Sequence, residues 1–201
     1  GGEPPAAGGL YTNPELGATW RRLLAEAASA GSDRNAQLDA ALAAWSQGFV
    51  ADAIDNHARR VTPDGLGGHY AGVLEGADLA AWQPGYEDPV SYRYRGVDIA
   101  KCGPWSQGPV LLQALALLAD DDIAALDPLG ADLVHVATEA MKLAYADRET
   151  FYGDPAFAVV PLDVLLGAPY NQARRQLLGG RASLELRAGE VAGADRAVDY
   201  P

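Results

Sequence analysis

Cysteine is almost missing from this chain. Cys102 is the only one among 201 residues, so no disulfide can close within the chain and no cysteine-based zinc cluster can form. Histidine is scarce as well. His57, His69 and His135 are far apart and form neither an HExxH motif nor a close pair, so no metal centre is expected, and no cofactor either. Basic charge is outnumbered: 15 Lys and Arg stand against 27 Asp and Glu, a formal net charge of -12. Most of such a surface repels a nucleic-acid backbone or an anionic membrane, and neither is an expected partner. The acidity is read as a solubility feature. Long apolar runs are also lacking. The longest largely apolar stretch, 110–119, is about half of the roughly 20 residues that a membrane helix needs and reads as a buried helix. The opening GGEPPAAGG has no initiator methionine, basic n-region or apolar h-region, so the chain is expected to begin partway through a longer protein, with its compartment left open.

What is present is apolar patterning at helical period. With 49% hydrophobic residues the chain can bury a core and form one domain or a large piece of one. The clearest segment is 133–155. Leu133, Val136, Ala137, Ala140, Met141, Ala144 and Tyr145 recur at i, i+3, i+4, i+7, i+8, i+11 and i+12, one stripe along a core-facing helix. Asp132 suits its first turn, and Gly153, Asp154 and Pro155 end it. The charges Glu139, Lys142, Asp147, Arg148 and Glu149 fall mostly on the other flank and read as a solvated face, with Glu139 and Lys142 spaced to pair. Asp147 and Arg148 are expected to be structural, one or both tying the helix end to the 153–155 turn.

Around this helix the other segments fall in order. Asn13, Pro14 and Glu15 open a helix with apolar Leu16, Trp20, Leu23, Leu24 and Ala27 and a stop at Gly31. Leu38, Leu42, Trp45 and Phe49 mark a second, and Gly48 either bends it or divides it from a stripe of Val50, Ala53, Ile54 and His57. His57 is read as a core or boundary histidine. Residues 62–85 are glycine-rich loop with a short helical turn; without the Lys and Ser/Thr of a P-loop, Gly65-x-Gly67-Gly68 is not a phosphate cradle. Val90, Tyr92 and Tyr94 alternate on one strand, Arg95 and Gly96 turn, and Val97, Ile99 and Cys102 return, a pair expected to join a larger sheet. Ser106, Gln107 and Gly108 start the 110–119 helix, whose N-terminus is weighed as an anion site against an ordinary cap. Asp120 to Asp122 lack the spacing of a calcium loop. One more helix is read over 161–178, its regular part delayed by Pro169. From Gly179 on, the chain reads as a loose tail.

Taken together, these motifs resemble the gamma-glutamyltranspeptidase family. The matching pieces are Asn13-Pro14-x-Leu16-Gly17-x-Thr19, Gly48-x-Val50-Ala51, Gly67-Gly68 with Ala77-Asp78-Leu79-Ala80, Arg95-Gly96, Pro104-Trp-Ser-Gln-Gly108, Glu139-Ala-Met-Lys142-Leu-Ala-Tyr-Ala-Asp147-Arg148 and Tyr152-Gly-Asp-Pro155, in that order. The resemblance implies an α/β (α+β), mostly helical fragment of the αββα sandwich of N-terminal-nucleophile hydrolases. It implies a precursor that cuts itself into a large and a small subunit, the small one beginning with the nucleophilic threonine. Residues 1–12 are then a leader, 13–178 the C-terminal part of the large subunit, and 179–201 the tail before the self-cleavage point, which Ser183-Leu-Glu-Leu-Arg-Ala-Gly189 resembles.

On this reading no residue of the chain is catalytic and no substrate-binding residue is assigned. Thr12, Thr19, Thr62, Thr138 and Thr150 lie in matched large-subunit positions outside any Thr-Thr-His-like motif. The arginine that grips the gamma-glutamyl carboxylate is expected upstream of residue 1. Ser46 and Ser106 have no histidine nearby in sequence, and Cys102 has only Lys101, which points to the other face of a strand. The implied partners are the small subunit and a small gamma-glutamyl substrate. Trp105-Ser-Gln, where many members read Pro-Ser-Ser, leaves open whether glutathione-like amides, cephalosporin side chains or poly-gamma-glutamate are used. Alone, the chain is expected to turn over no gamma-glutamyl substrate and to self-associate through apolar surface. The competing reading is a non-catalytic helical interaction module, which a Thr-Thr-x or Thr-Ser-x start after Pro201 in the native reading frame would exclude.

Overall fold

The computed structural model describes residues 4–194, and the chain divides at the Pro84/Gly85 junction into two compact units. In the first unit, α1 (Pro14–Ser29) begins where Asn13 accepts from the Leu16 amide at 2.9 Å, an N-cap with proline at the first helical position. α2 (Arg34–Ser46) is capped in the same way by Asp33, and α3 (Phe49–Ala58) starts at Gly48, so the interruption there separates two helices. Thr62–Pro63 and Tyr70–His69 make a minimal antiparallel pair, β1 (Thr62–Pro63) with β2 (His69–Tyr70), before α4 (Gly76–Ala81).

This unit buries only part of its stripes. Leu23, Ala27, Ala44, Val50 and Ala51 are covered, while Leu16, Trp20, Leu24, Leu38, Leu42 and Trp45 are exposed. Trp20 and Trp45 stack on each other with ring centroids 5.8 Å apart, which shields one face of each ring. His57 is exposed, not a core or boundary residue, because α3 turns that edge outward.

The second unit is built on two helices. β3 (Val90–Tyr94) and β4 (Val97–Lys101) pair antiparallel, with Tyr92 opposite Ile99. Val90, Tyr92 and Tyr94 share the half-buried face. Arg95 and Gly96 turn the chain at φ of 50° and 84°, the positive-φ pair that matches strand twist. Cys102 falls just past β4, and among the described residues the expected larger sheet is absent: the pair packs on α5 (Gly108–Leu117) instead. α5 lies against α6 (Ala131–Phe151), and Val110, Ala114, Leu117, Leu118, Ala140, Leu143 and Ala144 form the core between them. The helix read over 161–178 is two, α7 (Leu162–Leu165) and α8 (Ala168–Arg175). Gly167 closes the first with its amide on the Val164 carbonyl and, in extended backbone, caps the second, whose first turn holds Pro169 where a missing N–H costs nothing.

Candidate functional site

The buried face of α6 is rotated from the stripe read in the sequence. Ala140 and Ala144 are buried as expected, but Leu133, Val136, Ala137 and Met141 are half-covered and Tyr145 is at the surface. The covered set includes Glu139, Leu143, Ala146, Asp147 and Thr150, with Glu139 only 1% and Asp147 0% exposed. These two carboxylates are therefore not on a solvated face. The small side chains of Ala140, Ala144 and Ala146 beside them let neighbouring segments close over the helix.

Each carboxylate is satisfied by a different set of donors. Asp147 Oδ2 accepts from Gln113 Nε2 of α5 at 2.6 Å, and Oδ1 accepts from the Arg174 guanidinium of α8 at 3.0 Å and from the Gly189 amide at 2.7 Å. Arg174, 6% exposed, also donates to the Leu143 carbonyl and to that of Arg187. Eight residues earlier, Glu139 pairs with Lys142, accepts from Arg187 at 2.9 Å and from the Ser183 amide at 3.3 Å. The Lys142 hydrogen bond, with the Ser183 amide and the positive charges of Lys142 and Arg187, holds the Glu139 carboxyl below its ordinary value of 4.5 against the opposing effect of burial. Lys142 donates as well to the Ser183 carbonyl, and Arg187 to that of Leu177. Of the stretch read as a loose tail, 179–201, residues 195–201 lie outside the described ones; residues 179–194 contain no helix or strand, and between Gly179 and Gly189 they are bonded to α6 and α8.

Arg148 behaves differently from the expectation. It pairs with its neighbour Glu149, both side chains about one-third exposed, because two long side chains can meet across the angle that separates adjacent helical positions. Neither Asp147 nor Arg148 bonds to the 153–155 turn through its side chain; the Tyr152 amide on the Arg148 carbonyl closes the helix there.

A second feature is a cleft of about 720 Å³ at the start of α5. Two motifs distant in sequence meet in it: Pro104, Trp105, Ser106 and Gln107 on one wall, and Arg148, Glu149, Tyr152, Gly153 and Asp154 on the other. Tyr145 bridges the walls by donating to Gln107 Oε1 at 2.9 Å, and the Trp105 indole donates to Glu87 at 2.6 Å. Burial, and then the negative charge of Asp147, pushes the Tyr152 phenol above its ordinary range. On α8, burial and then the charge of Asp147 shift the Tyr170 phenol the same way. The cleft is not an anion site built on α5. Ser106 Oγ accepts from the Gly108 amide at 3.0 Å, Pro109 has no N–H, and the Val110 amide is on the Gln107 carbonyl, so the first turn caps itself.

The two weighed serines are committed to backbone. Ser106 donates to the Gly103 carbonyl at 2.8 Å and Ser46 to that of Leu42 at 2.9 Å. Cys102 is a free, exposed thiol. His135 bonds to the Gly179 carbonyl at 2.7 Å and serves no hydroxyl. Among the described residues no group of three or more His, Cys, Asp and Glu is placed to hold a metal ion, and no helix is long and apolar enough to cross a membrane.

With this arrangement in view, comparison with known proteins gives a consistent class. The family model described as Gamma-glutamyltranspeptidase matches residues 1–196. The solved structure of LmbA2991HD is 50% identical, with a TM-score of 0.82, over 98% of this chain and 33% of its own. Cephalosporin acylase from Bacillus halodurans is 29% identical with a TM-score of 0.56, over 73% of this chain and 25% of its own. Both that acylase and the gamma-glutamyltranspeptidase of Helicobacter pylori, 28% identical with a TM-score of 0.57 over 73% of this chain and 42% of its own, carry the N-terminal-nucleophile hydrolase fold.

The chain belongs to the gamma-glutamyltranspeptidase family. Among curated relatives, the Acylase ACY 1 proenzyme of a Pseudomonas species is 35% identical over 119 residues, and the Glutathione hydrolase proenzyme of Escherichia coli 32% identical over 125. These matches take in 59% and 60% of this chain but 21% and 22% of the relatives, so the matched region spans about a fifth of their length.

Proposed function

We propose that this chain is the C-terminal part of the large subunit of an enzyme that transfers or hydrolyses gamma-glutamyl groups, and that it supplies framework rather than the nucleophile. The observation that carries this is that the two serines weighed as nucleophiles, Ser46 and Ser106, are committed to backbone and have no histidine partner. Glu139 and Asp147 of the matched 139–148 run, meanwhile, hold the 183–189 segment and α8 against α6. The chemistry is then attack by a threonine hydroxyl whose free α-amino group acts as base, giving a gamma-glutamyl ester that water or an acceptor amine resolves. That threonine belongs to the small subunit, the partner of this chain, and the αββα sandwich is completed only with it. The two-stranded β3–β4 unit and the exposed apolar stripes of α1 and α2 fit a piece of a larger assembly, and an isolated piece of this kind self-associates.

A second substrate class has specific support: two of the relatives are named acylases, so a non-gamma-glutamyl acyl amide is the other candidate. The test is to express the full precursor and follow its conversion. Two fragments, the smaller beginning with threonine by mass spectrometry, and release of aniline from a gamma-glutamyl anilide by the mature protein support the reading. An uncleaved precursor, or a mature protein that cleaves only acyl side chains, overturns its processing or its substrate respectively.

A further inference from the structure

Residues 179–189 form no ladder of their own, and several of their backbone groups bond to side chains of α6 and α8. Ser183 and Gly189 donate their amides to Glu139 and Asp147. The Ser183 and Arg187 carbonyls accept from Lys142 and Arg174. The two carboxylates are eight residues apart on α6, about 12 Å along the helix axis, and the six-residue step from Ser183 to Gly189 can reach roughly 20 Å. Anchored at both ends, the segment is fixed in position and in direction, running alongside α6 in the same sense. The far anchor is also sterically set. A Cβ on Gly189 would lie 2.0 Å from the Tyr170 hydroxyl, so a side chain there forces Tyr170 to shift.

We infer that Glu139 and Asp147 are positioning residues for self-cleavage of the precursor, an inference that rests on the reading of function above. Self-cleavage is net hydrolysis: one water is consumed, one peptide C–N bond breaks, the upstream side ends in a carboxylate and the downstream side in an amine, and electrons balance without an oxidant. The attacking hydroxyl must lie within roughly 3–3.5 Å of the scissile carbonyl carbon in the right orientation. The segment upstream of that bond therefore has to leave the framework at one place and in one direction, and one anchor could fix only the place. Stability alone does not call for these groups, since well-packed apolar side chains usually serve a core as well as buried ions do. Here the buried charge is directed at the amides of an irregular segment.

The experiment uses the full precursor and compares wild type with Glu139→Gln, Asp147→Asn and Arg187→Gln. The last removes a 20%-exposed partner of Glu139 and leaves the Asp147–Arg174 pair in place, so it reports even where an α6 variant does not fold. Conversion of precursor to subunits is timed on gels. In parallel the two subunits are co-expressed as separate chains, which bypasses cleavage, and kcat and KM are measured. Positioning predicts conversion slowed roughly tenfold to a hundredfold, with co-expressed kcat and KM within about twofold of wild type. Conversion at the wild-type rate overturns the inference, as does a loss of co-expressed activity that matches the slowing. A wild-type precursor that never splits overturns the functional reading first and this inference with it.

Discussion

Replacing Asp147 by alanine is the sharpest perturbation available. The Asp147 side chain is 0% and that of Arg174 7% exposed, so removal leaves a guanidinium in a dry interior, with Gln113 Nε2 and the Gly189 amide also losing their acceptor. Breaking one partner of such a pair costs about 3–5 kcal/mol, against about 0–1 kcal/mol for an exposed pair. For a protein of this size about 3 kcal/mol corresponds to a fall in Tm on the order of 10 °C. Urea denaturation followed by circular dichroism measures it. The double variant Asp147→Ala with Arg174→Met removes the stranded charge together with its partner, and its loss should be smaller than the sum of the single losses by about 1–3 kcal/mol. A single-variant loss below about 1 kcal/mol, or strict additivity, refutes the account of a buried, mutually dependent pair.

Other outcomes follow from neighbouring contacts. Gly189→Ala should destabilise by about 1–3 kcal/mol through the clash with Tyr170, and Tyr170→Phe in the same background should recover part of that loss in thermal melts. The Glu139 carboxyl is held low in the folded chain, so the unfolded chain binds the extra proton near pH 4.5. The contribution of Glu139 is full above that value and is lost as pH falls through the lowered folded value. The stability gap between wild type and Glu139→Gln should therefore narrow on acidification, as urea melts at stepped pH can show, and a gap that widens contradicts the sign. Arg148→Ala should change stability by less than about 1 kcal/mol, because its pair with Glu149 is partly exposed and adjacent; a larger loss in the same melts means that Arg148 holds something else.

How much of this was readable beforehand depends on what kind of signal carried it. Caps and breakers were legible: Asn13, Gly48 and Pro169 act locally, and the structure places helix boundaries beside each. The order of motifs carried the family. The face of α6 was misread because apolarity stood in for burial. Glu139, Leu143, Asp147 and Thr150 recur at four, four and three, a helical stripe as good as the one chosen, but two of its members are acids. Their partners Arg174, Arg187 and Gly189 lie 27 to 48 residues away, beyond any local period. The same distance hid the strap: residues 179–189 have no apolar rhythm, and what orders them is side-chain acceptors on another element. The cleft escaped for a related reason, since its walls are two motifs read separately that meet only when α5 packs on α6.

The central claim is that this chain frames an active site whose nucleophile lies outside it. Incubating the purified 201-residue chain with a chromogenic gamma-glutamyl anilide tests that most directly. The account predicts no release above a heat-killed control, with ordinary turnover once the mature two-subunit protein replaces it. Sustained release by the chain alone would contradict it and place a nucleophile among Ser46, Ser106, Cys102 or the threonines.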